Sequence, residues 1–344
     1  MSTLLSIIAA LLLLSVLVTI HELGHYGAGR LLGFTILEFS VGMGPAIIKK
    51  TKNGIDYCIR AFLIGGMCRF YGEDQEVQDG RCFNAQPVWK RFIVILAGPM
   101  MNFIFAILVS VVTLMAYGNY VPEIYEVPDT SSPAYVAGLR PGDIITAVDG
   151  KTVRYYSETT DFIRAMPSES AVITVERGET EIDCVLTDSF DPELGHNYIG
   201  ITITPVRKIF GFFESIGESF HYVGGLVRDT LGFFGTLFKG QVTSDQVAGP
   251  VGTIAYISEA VRYGFETVLR FAVIISISLA IFKVLPLPAL DGGRLAFLVV
   301  EGIAGRPVNQ RVEGTIHFVG LMALFALILF LTYNDIVNMI RGVI

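Results

Sequence analysis

The chain has 344 residues, of which 52% are hydrophobic and 17% are charged, whereas an ordinary soluble domain carries about 25% charged residues. This composition excludes the ordinary soluble class and favours a membrane protein. The net charge of −7 and the lack of a basic tract exclude the electrostatic footprint of a nucleic-acid-binding protein, so no nucleic-acid partner is expected.

Four apolar stretches are long enough to cross a bilayer, which takes about 20 residues. They run from Thr3 to His25, from Phe92 to Tyr117, from Val268 to about Leu290, and from Thr315 to Tyr333. The first stretch has no basic residues before it and no small-residue cleavage site after it, so we interpret it as a retained helix. The sequence therefore predicts a polytopic α-helical membrane protein with four transmembrane helices.

Basic residues near the spans predict the orientation, because cytoplasmic loops carry an excess of Lys and Arg. Such residues lie between spans one and two and between spans three and four: Arg30, Lys49, Lys50, Lys52, Arg60, Arg69, Arg81, Lys90 and Arg91, then Arg294, Arg306 and Arg311. Both connections are expected in the cytoplasm. The N-terminus, residues 118–267 and the C-terminus are then expected outside a plasma or inner cell membrane.

The connections between the spans differ in character. Residues 34–70 carry β-prone runs around Asn53-Gly54, a strong turn signal, and predict membrane-associated β-hairpins within the first half of the membrane core, 1–117. Residues 118–204 alternate turn residues with short β-rich runs and predict a small, mostly β, inserted domain. These runs are Ile144 to Val148, Val172 to Glu176, Ile182 to Leu186 and Ile199 to Ile203.

The segment 205–267 carries apolar residues at helical spacing between Ile209 and Val227, which predicts an amphipathic helix near the membrane. Two placements remain open for this helix: on the membrane surface, or packed against the spans. Residues 268–344 then form the second half of the membrane core. The four cysteines show no paired or zinc-finger spacing and are expected to be isolated: Cys58, Cys68, Cys82 and Cys184.

The run His21-Glu22-Leu23-Gly24-His25 carries the strongest chemical signal. On a helix, residues four apart share a face, so both imidazoles can bind one metal ion, with Glu22 beside them as a general base. A chance match would have to place three ionisable groups at the end of an apolar span, where such residues are costly and usually functional. Two imidazoles and a carboxylate suit Zn²⁺, which keeps one position for water.

Asp291 is the candidate third ligand. It follows Pro286 and Pro288, which break the third span, and precedes two glycines that permit close backbone approach. Broken helices at membrane depth are tolerated where they line a cavity or are buried in protein. A helix cap is the ordinary role for such an Asp, but together with the His21–His25 helix, metal binding is favoured.

These two motifs, in this order, resemble the site-2 protease family of intramembrane zinc metalloproteases, in its bacterial branch that cleaves anti-sigma factors. Further segments are similar to the family's β-hairpin loop, second-span motif, PDZ domain and the element before span three. They are 39–45, 64–66, 97–102, 132–145 and 249–252. The resemblance covers most of the chain and implies a single PDZ-like domain within 118–204.

The resemblance implies hydrolysis of peptide bonds in transmembrane segments of single-pass membrane proteins, such as anti-sigma factors or signal-peptide remnants. Glu22 would be catalytic, and His21, His25 and Asp291 would bind zinc. The lipid bilayer is an expected partner, and the PDZ-like domain would bind peptide ends or block bulky ectodomains. The family resemblance also implies that another protease first trims substrates outside the membrane.

Substrate-binding candidates are Gly42 and Gly44 in the hairpin, Asn102 in span two, and Lys283 in span three. Gly98, Pro99 and Asn102 serve either to loosen span two beside the site or to pack helices through small residues. Lys283 stands where the family has Asn in an Asn-x-x-Pro pattern. A lysine cannot accept a hydrogen bond, so it would donate to a substrate carbonyl or extend toward water, and its charge would weaken metal binding.

Two other functions compete with proteolysis. A catalytically silent membrane scaffold would use the PDZ-like domain to hold partners, but it would not require Glu22. A metal or proton transporter would also place ionisable residues in its spans, but no inverted repeat is evident in the sequence. The remaining histidines, His196, His221 and His317, lack metal-ligand spacing and are assigned structural roles.

Overall fold

A computed structural model describes residues 3–73, 79–167, 170–178, 180–187, 190–191, 195–241 and 247–341. The chain forms two compact units: Met1–Thr113 with Ile216–Ile344, and Leu114–Ser215. The helices are α1 (Thr3–Leu31), α2 (Val88–Tyr117), α3 (Pro133–Val136), α4 (Tyr156–Ala165), α5 (Phe212–Phe238), α6 (Pro250–Tyr263), α7 (Phe265–Val284), α8 (Asp291–Ala304) and α9 (Gln310–Ile340). The strands are β1 (Ile36–Lys52), β2 (Ile55–Phe70), β3 (Asn119–Glu126), β4 (Ile144–Val148), β5 (Lys151–Thr152), β6 (Ser170–Arg177), β7 (Thr180–Thr187), β8 (Phe190–Asp191), β9 (His196–Asn197) and β10 (Thr202–Lys208).

In the described part of the chain, four helices are long and apolar enough to cross a membrane: α1, α2, α7 and α9. Each coincides with one of the four predicted spans. The predicted end of the third span at Leu290 is wrong, because α7 ends at Val284. Pro286 restricts the residue before it to extended conformations, and Leu285 is indeed extended with ψ 139°.

The segment predicted as β-hairpins forms one folded ribbon, in which β1 pairs antiparallel with β2 through several register shifts. Val41, in the first half of β1, lies opposite both Ile59 and Gly66 of β2. The ribbon therefore folds back on itself. Gly42 and Gly44 lie at this fold with φ of +84° and +88°, values that side-chain-bearing residues rarely adopt.

The unit Leu114–Ser215 contains a sheet with the strand order β10-β3-β4-β6-β7, and β5 pairs with β4. Its core includes the buried residues Ile124, Ile145, Ile173 and Leu186. The predicted strands at 144–148, 172–176 and 182–186 all lie on β4, β6 and β7. The fourth run was placed wrongly, because β10 begins at Thr202 and Ile199 is instead a buried core residue before it.

The amphipathic segment predicted between Ile209 and Val227 lies mostly on α5, which continues to Phe238. Val223 of α5 is buried in a cluster with Ala106 of α2 and Val273 of α7. Packing against the apolar helices therefore accounts for its inner face. A second helix, α6, was not predicted; its start is held by Asp335 of α9, whose buried carboxylate accepts hydrogen bonds from the backbone amides of Gly249 (3.0 Å) and Gly252 (2.8 Å).

Candidate metal centre

Helix α1 continues without a break past its two histidines to Leu31, so His21 and His25 lie one turn apart on the same face. Both side chains are buried, and their rings pack edge to face with centroids 4.8 Å apart. The two Nε2 atoms lie 3.2 Å from each other. The spacing seen in the sequence thus gives two convergent imidazole nitrogens inside the protein.

Asp291 is the first residue of α8 and follows the turn that ends α7. Its Oδ2 atom lies 2.9 Å from Nε2 of His21 and 3.7 Å from Nε2 of His25. The residue before it, Leu290, occupies the N-cap position, so Asp291 is not the helix cap that was its alternative assignment. Two segments separated by more than two hundred residues therefore converge on one point.

The three side chains form a group whose potential ligand atoms all lie within 4.8 Å of one another. If neither Nε2 atom carries a proton, their lone pairs face each other, which is unfavourable unless a cation lies between them. The Nε2–Nε2 separation of 3.2 Å agrees with the spacing of about 3.3 Å expected for two nitrogens bound to one tetrahedral zinc ion. Oδ2 of Asp291 is buried and faces both Nε2 atoms. The donor set fits zinc.

The orientation of His25 is fixed by its second nitrogen. Nδ1 lies 2.9 Å from the backbone carbonyl oxygen of Val94 in α2, which can only accept a hydrogen bond. Nδ1 must therefore carry the proton and donate it, and the Nε2 lone pair is left to face the group. Hydrogen bonding to the second nitrogen commonly sets the tautomer and ring orientation of metal-binding histidines.

Helices α1 and α2 approach closely at this point because both carry glycine there. A Cβ atom at Gly98 would lie 2.9 Å from Cε1 of His21 and closer still to Nε2 of His25. A Cβ atom at Gly24 would lie 2.7 Å from the carbonyl carbon of Ala97. Of the two roles considered for the small residues of span two, these distances support helix packing.

Gly98→Ala is expected to lower zinc content, because the added methyl group would displace the two imidazoles. Loss of a group that orients metal ligands typically costs about 10–100-fold in metal affinity. Bound zinc measures the effect. Gly217→Ala in α5, where nothing lies within 4 Å of an added Cβ, is the matched control. Normal zinc content in Gly98→Ala would contradict the close approach.

Glu22 is half-buried and lies beside β2, where a Cβ atom at Gly66 would be 2.9 Å from its Cγ. The neighbouring thiol of Cys68 has its pKa raised by burial, and further by the carboxylates of Glu22 and Glu73. Cys68 is therefore a neutral thiol at ordinary pH rather than a competing thiolate ligand. All four cysteines are free, as predicted.

The other candidate residues lie outside the three-ligand group. Nζ of Lys283, in the last turn of α7, is 3.9 Å from Oδ2 of Asp291. Asn102 is 1% exposed, and neither side-chain amide atom has a hydrogen-bond partner among the described residues. Gly42 and Gly44 are not in the group and pack against Phe62 within the ribbon.

Sequence reasoning missed the carbonyl of Val94. For Gly98, helix packing was one of the two roles considered, but its contact with the two imidazoles was not predicted. Val94 offered no signal, because its contribution is a backbone atom.

Comparisons with known proteins agree with this site. Residues 9–327 match the sequence profile of peptidase family M50. The zinc metalloprotease RasP of Shouchella clausii is 30% identical over 98% of this chain and 99% of its own length. The chloroplastic membrane metalloprotease ARASP of Arabidopsis thaliana is 33% identical over 97% of this chain and 79% of its own. Among solved structures, the PDZ domain of an SdrC-like protein from Listeria innocua is 22% identical over 26% of this chain and 99% of that domain, with a TM-score of 0.22.

Proposed function

Because the chain belongs to peptidase family M50, the site-2 protease family, we propose that it is a zinc metalloprotease that hydrolyses peptide bonds within transmembrane segments of single-pass membrane proteins. The single observation that carries this proposal is the convergence of His21 and His25, within the apolar helix α1, with Asp291, whose potential ligand atoms all lie within 4.8 Å of one another. Hydrolysis within a transmembrane segment requires water and polar groups held by the protein itself, since the bilayer core supplies neither.

His21, His25 and Asp291 would hold the metal, and Glu22 would act as general base and acid. Zinc, when bound, supplies Lewis-acid polarisation of a carbonyl and activation of a water molecule. Glu22 follows His21 directly on α1 and is half-buried, so its carboxylate can take a proton from the attacking water. The same carboxyl group then delivers the proton to the leaving amine. His25 holds its ring through Nδ1 and the carbonyl of Val94.

A substrate helix hides its carbonyl groups in its own hydrogen bonds, so the segment to be cut must first unwind. The ribbon β1–β2 passes Glu22 at Gly66 and offers strand edges to which an extended segment can add. Gly42 and Gly44 shape that ribbon, and the unpaired amide of Asn102 and the ammonium of Lys283 are the proposed polar contacts to substrate backbone. This placement supports substrate binding between the ribbon and the metal group.

The proposed orientation keeps the basic connections in the cytoplasm and the termini outside. The inserted β unit is proposed to be an extracytoplasmic PDZ-like domain that binds peptide ends or excludes bulky ectodomains. The proposed substrates include anti-sigma factors and signal-peptide remnants, already trimmed outside by another protease.

Metal removal tests the proposed function. Purified protein in detergent is expected to cut a single-span test substrate, to stop after treatment with a zinc chelator, and to recover when stoichiometric zinc is returned. The physical reason is that the three-ligand group leaves the water unactivated without its metal. Cleavage that persists in the metal-free protein would refute the metalloprotease mechanism. The same protein with a soluble unfolded peptide shows whether cleavage requires an apolar segment.

A further inference from the structure

The turn that delivers Asp291 to the metal group contains a backbone conformation that needs external support. Ala289, two residues before Asp291, has φ of +73°. For a residue with a side chain, this left-handed conformation costs about 1–2 kcal/mol and persists where the surroundings hold it. The turn lies between two helix ends and contains Pro288, whose missing amide removes one internal hydrogen bond. The turn has its own backbone hydrogen bond from Leu290 to Leu287 at 3.3 Å, and a contact from another element adds to this support.

That contact comes from His317 on α9. The backbone amide of Ala289 donates a hydrogen bond to Nδ1 of His317 at 2.9 Å. Because Nδ1 accepts, the imidazole carries its proton on Nε2. The ring also packs against Phe297 of α8, with centroids 5.5 Å apart. The imidazole thus touches both the turn before Asp291 and the helix that Asp291 begins.

One turn further along α9, Gly320 lets the helix approach the same turn. A Cβ atom there would lie 3.0 Å from the carbonyl carbon of Pro288, and closer to its Cβ. His317 and Gly320 lie three residues apart on one face of α9. His317 offers a hydrogen-bond acceptor to Ala289, and Gly320 leaves space for Pro288. A histidine that only filled space in the core would not need to accept a hydrogen bond from Ala289. Ala289 is the residue of this turn that has a side chain and a left-handed conformation.

We propose that His317 is a positioning residue for the metal site: by holding the amide of Ala289 it fixes the left-handed turn that aims the Asp291 carboxylate at His21 and His25. The inference rests on the proposed function in so far as Asp291 binds zinc. It makes the structural role assigned to His317 from the sequence more specific. The Nδ1 atom of His317 accepts from the backbone amide of Ala289 and not from a ligand side chain, so His317 acts through the backbone.

Zinc affinity, measured by competition with a chelator of known affinity, tests the proposal without any substrate. His317→Phe keeps a planar ring and removes the acceptor, and it is expected to weaken zinc binding by about 10–100-fold, as for other residues that orient a ligand. His317→Asn keeps an oxygen near the position of Nδ1 and is expected to bind zinc within about threefold of the wild type on the same scale. His221→Phe, at an exposed position on α5, is the matched control.

The absorption spectrum of the Co²⁺-substituted protein is a second readout, since it reports ligand geometry. His317→Phe is expected to change it and His317→Asn to preserve it. If His317→Phe fails to fold, His317→Gln replaces it, because its acceptor lies further out, at the position of Nε2. Wild-type affinity and spectrum in whichever of these two variants folds would overturn the proposal, since neither places an acceptor at the position of Nδ1.

A rescue variant separates positioning from general packing. Glycine adopts positive φ without strain, so Ala289→Gly in the His317→Phe background is expected to recover most of the lost zinc affinity. A double variant that binds no better than His317→Phe would contradict the route through the left-handed turn. Zinc affinity is readable even in a protein that cuts nothing, so failure of this inference and failure of the proposed proteolysis are distinguishable.

Discussion

Glu22→Gln is expected to lower the cleavage rate of a single-span substrate by about 10²–10⁴-fold, the usual contribution of a positioned general base. The amide is nearly isosteric with the carboxylate but cannot take a proton from water. Zinc content is expected to stay at the wild-type level, because the ligand group consists of His21, His25 and Asp291 and does not include Glu22. Reconstituted protein, a labelled substrate and a metal assay measure both quantities.

Glu259→Gln is the matched control, because it makes the same chemical change at an exposed position of α6. Equal cleavage by the wild type and Glu22→Gln would eliminate the protease mechanism proposed here. That outcome would favour the silent-scaffold alternative, in which Glu22 has no task. A transporter would be indicated instead if Glu22→Gln altered metal or proton flux across vesicles while no substrate was cut by either protein.

Local periodicity explains why part of the site could be predicted. His21 and His25 are four residues apart, and a helix forces such residues onto one face whatever the rest of the fold does. The prediction of Asp291 was weaker in physical terms, because a helix-breaking run only indicates that a turn occurs at membrane depth. The structure brings its Oδ2 within 2.9 Å of Nε2 of His21, across a separation of 270 residues in sequence.

The remaining contacts depend on packing that no local pattern encodes. The carbonyl of Val94 and the gap at Gly98 act on the imidazoles only because α2 crosses α1 at that height. The contact of His317 with Ala289 likewise needs α9 to lie beside the turn. Such contacts lie between residues far apart in the sequence, so sequence spacing alone does not reveal them.

The inserted β unit shows the same limit at the level of strands. The run 144–148 was predicted with its observed bounds, whereas β3 was missed. Pro122 lies within β3 and is unusual inside a sheet, since proline has no amide to donate. It is opposite Pro205 of β10, so the two prolines face each other in the ladder. The strand β3 is recognisable only from its pairing with β10, which the sequence does not show.

Asp291→Asn is expected to weaken zinc binding by more than the roughly 100-fold upper range seen when residues that merely orient a ligand are lost. The side chain keeps its shape, but a neutral amide replaces the only negative charge in the three-ligand group. The nearby ammonium of Lys283, 3.9 Å from Oδ2, would then lose the negative charge beside it. Two effects therefore act in the same direction: a ligand is lost, and a cation is left uncompensated.

Chelator competition measures this affinity, with Asp229→Asn on the exposed side of α5 as the matched control. The variant Lys283→Gln supplies the opposite charge change at the same site and is expected to bind zinc at least as tightly as the wild type, because it removes the cation and keeps all three ligands. Combining Asp291→Asn with Lys283→Gln is expected to recover part of the affinity lost by Asp291→Asn alone. Wild-type zinc affinity in Asp291→Asn would show that the carboxylate is not a ligand, and the convergence of α1 with the turn before α8 would then need another explanation.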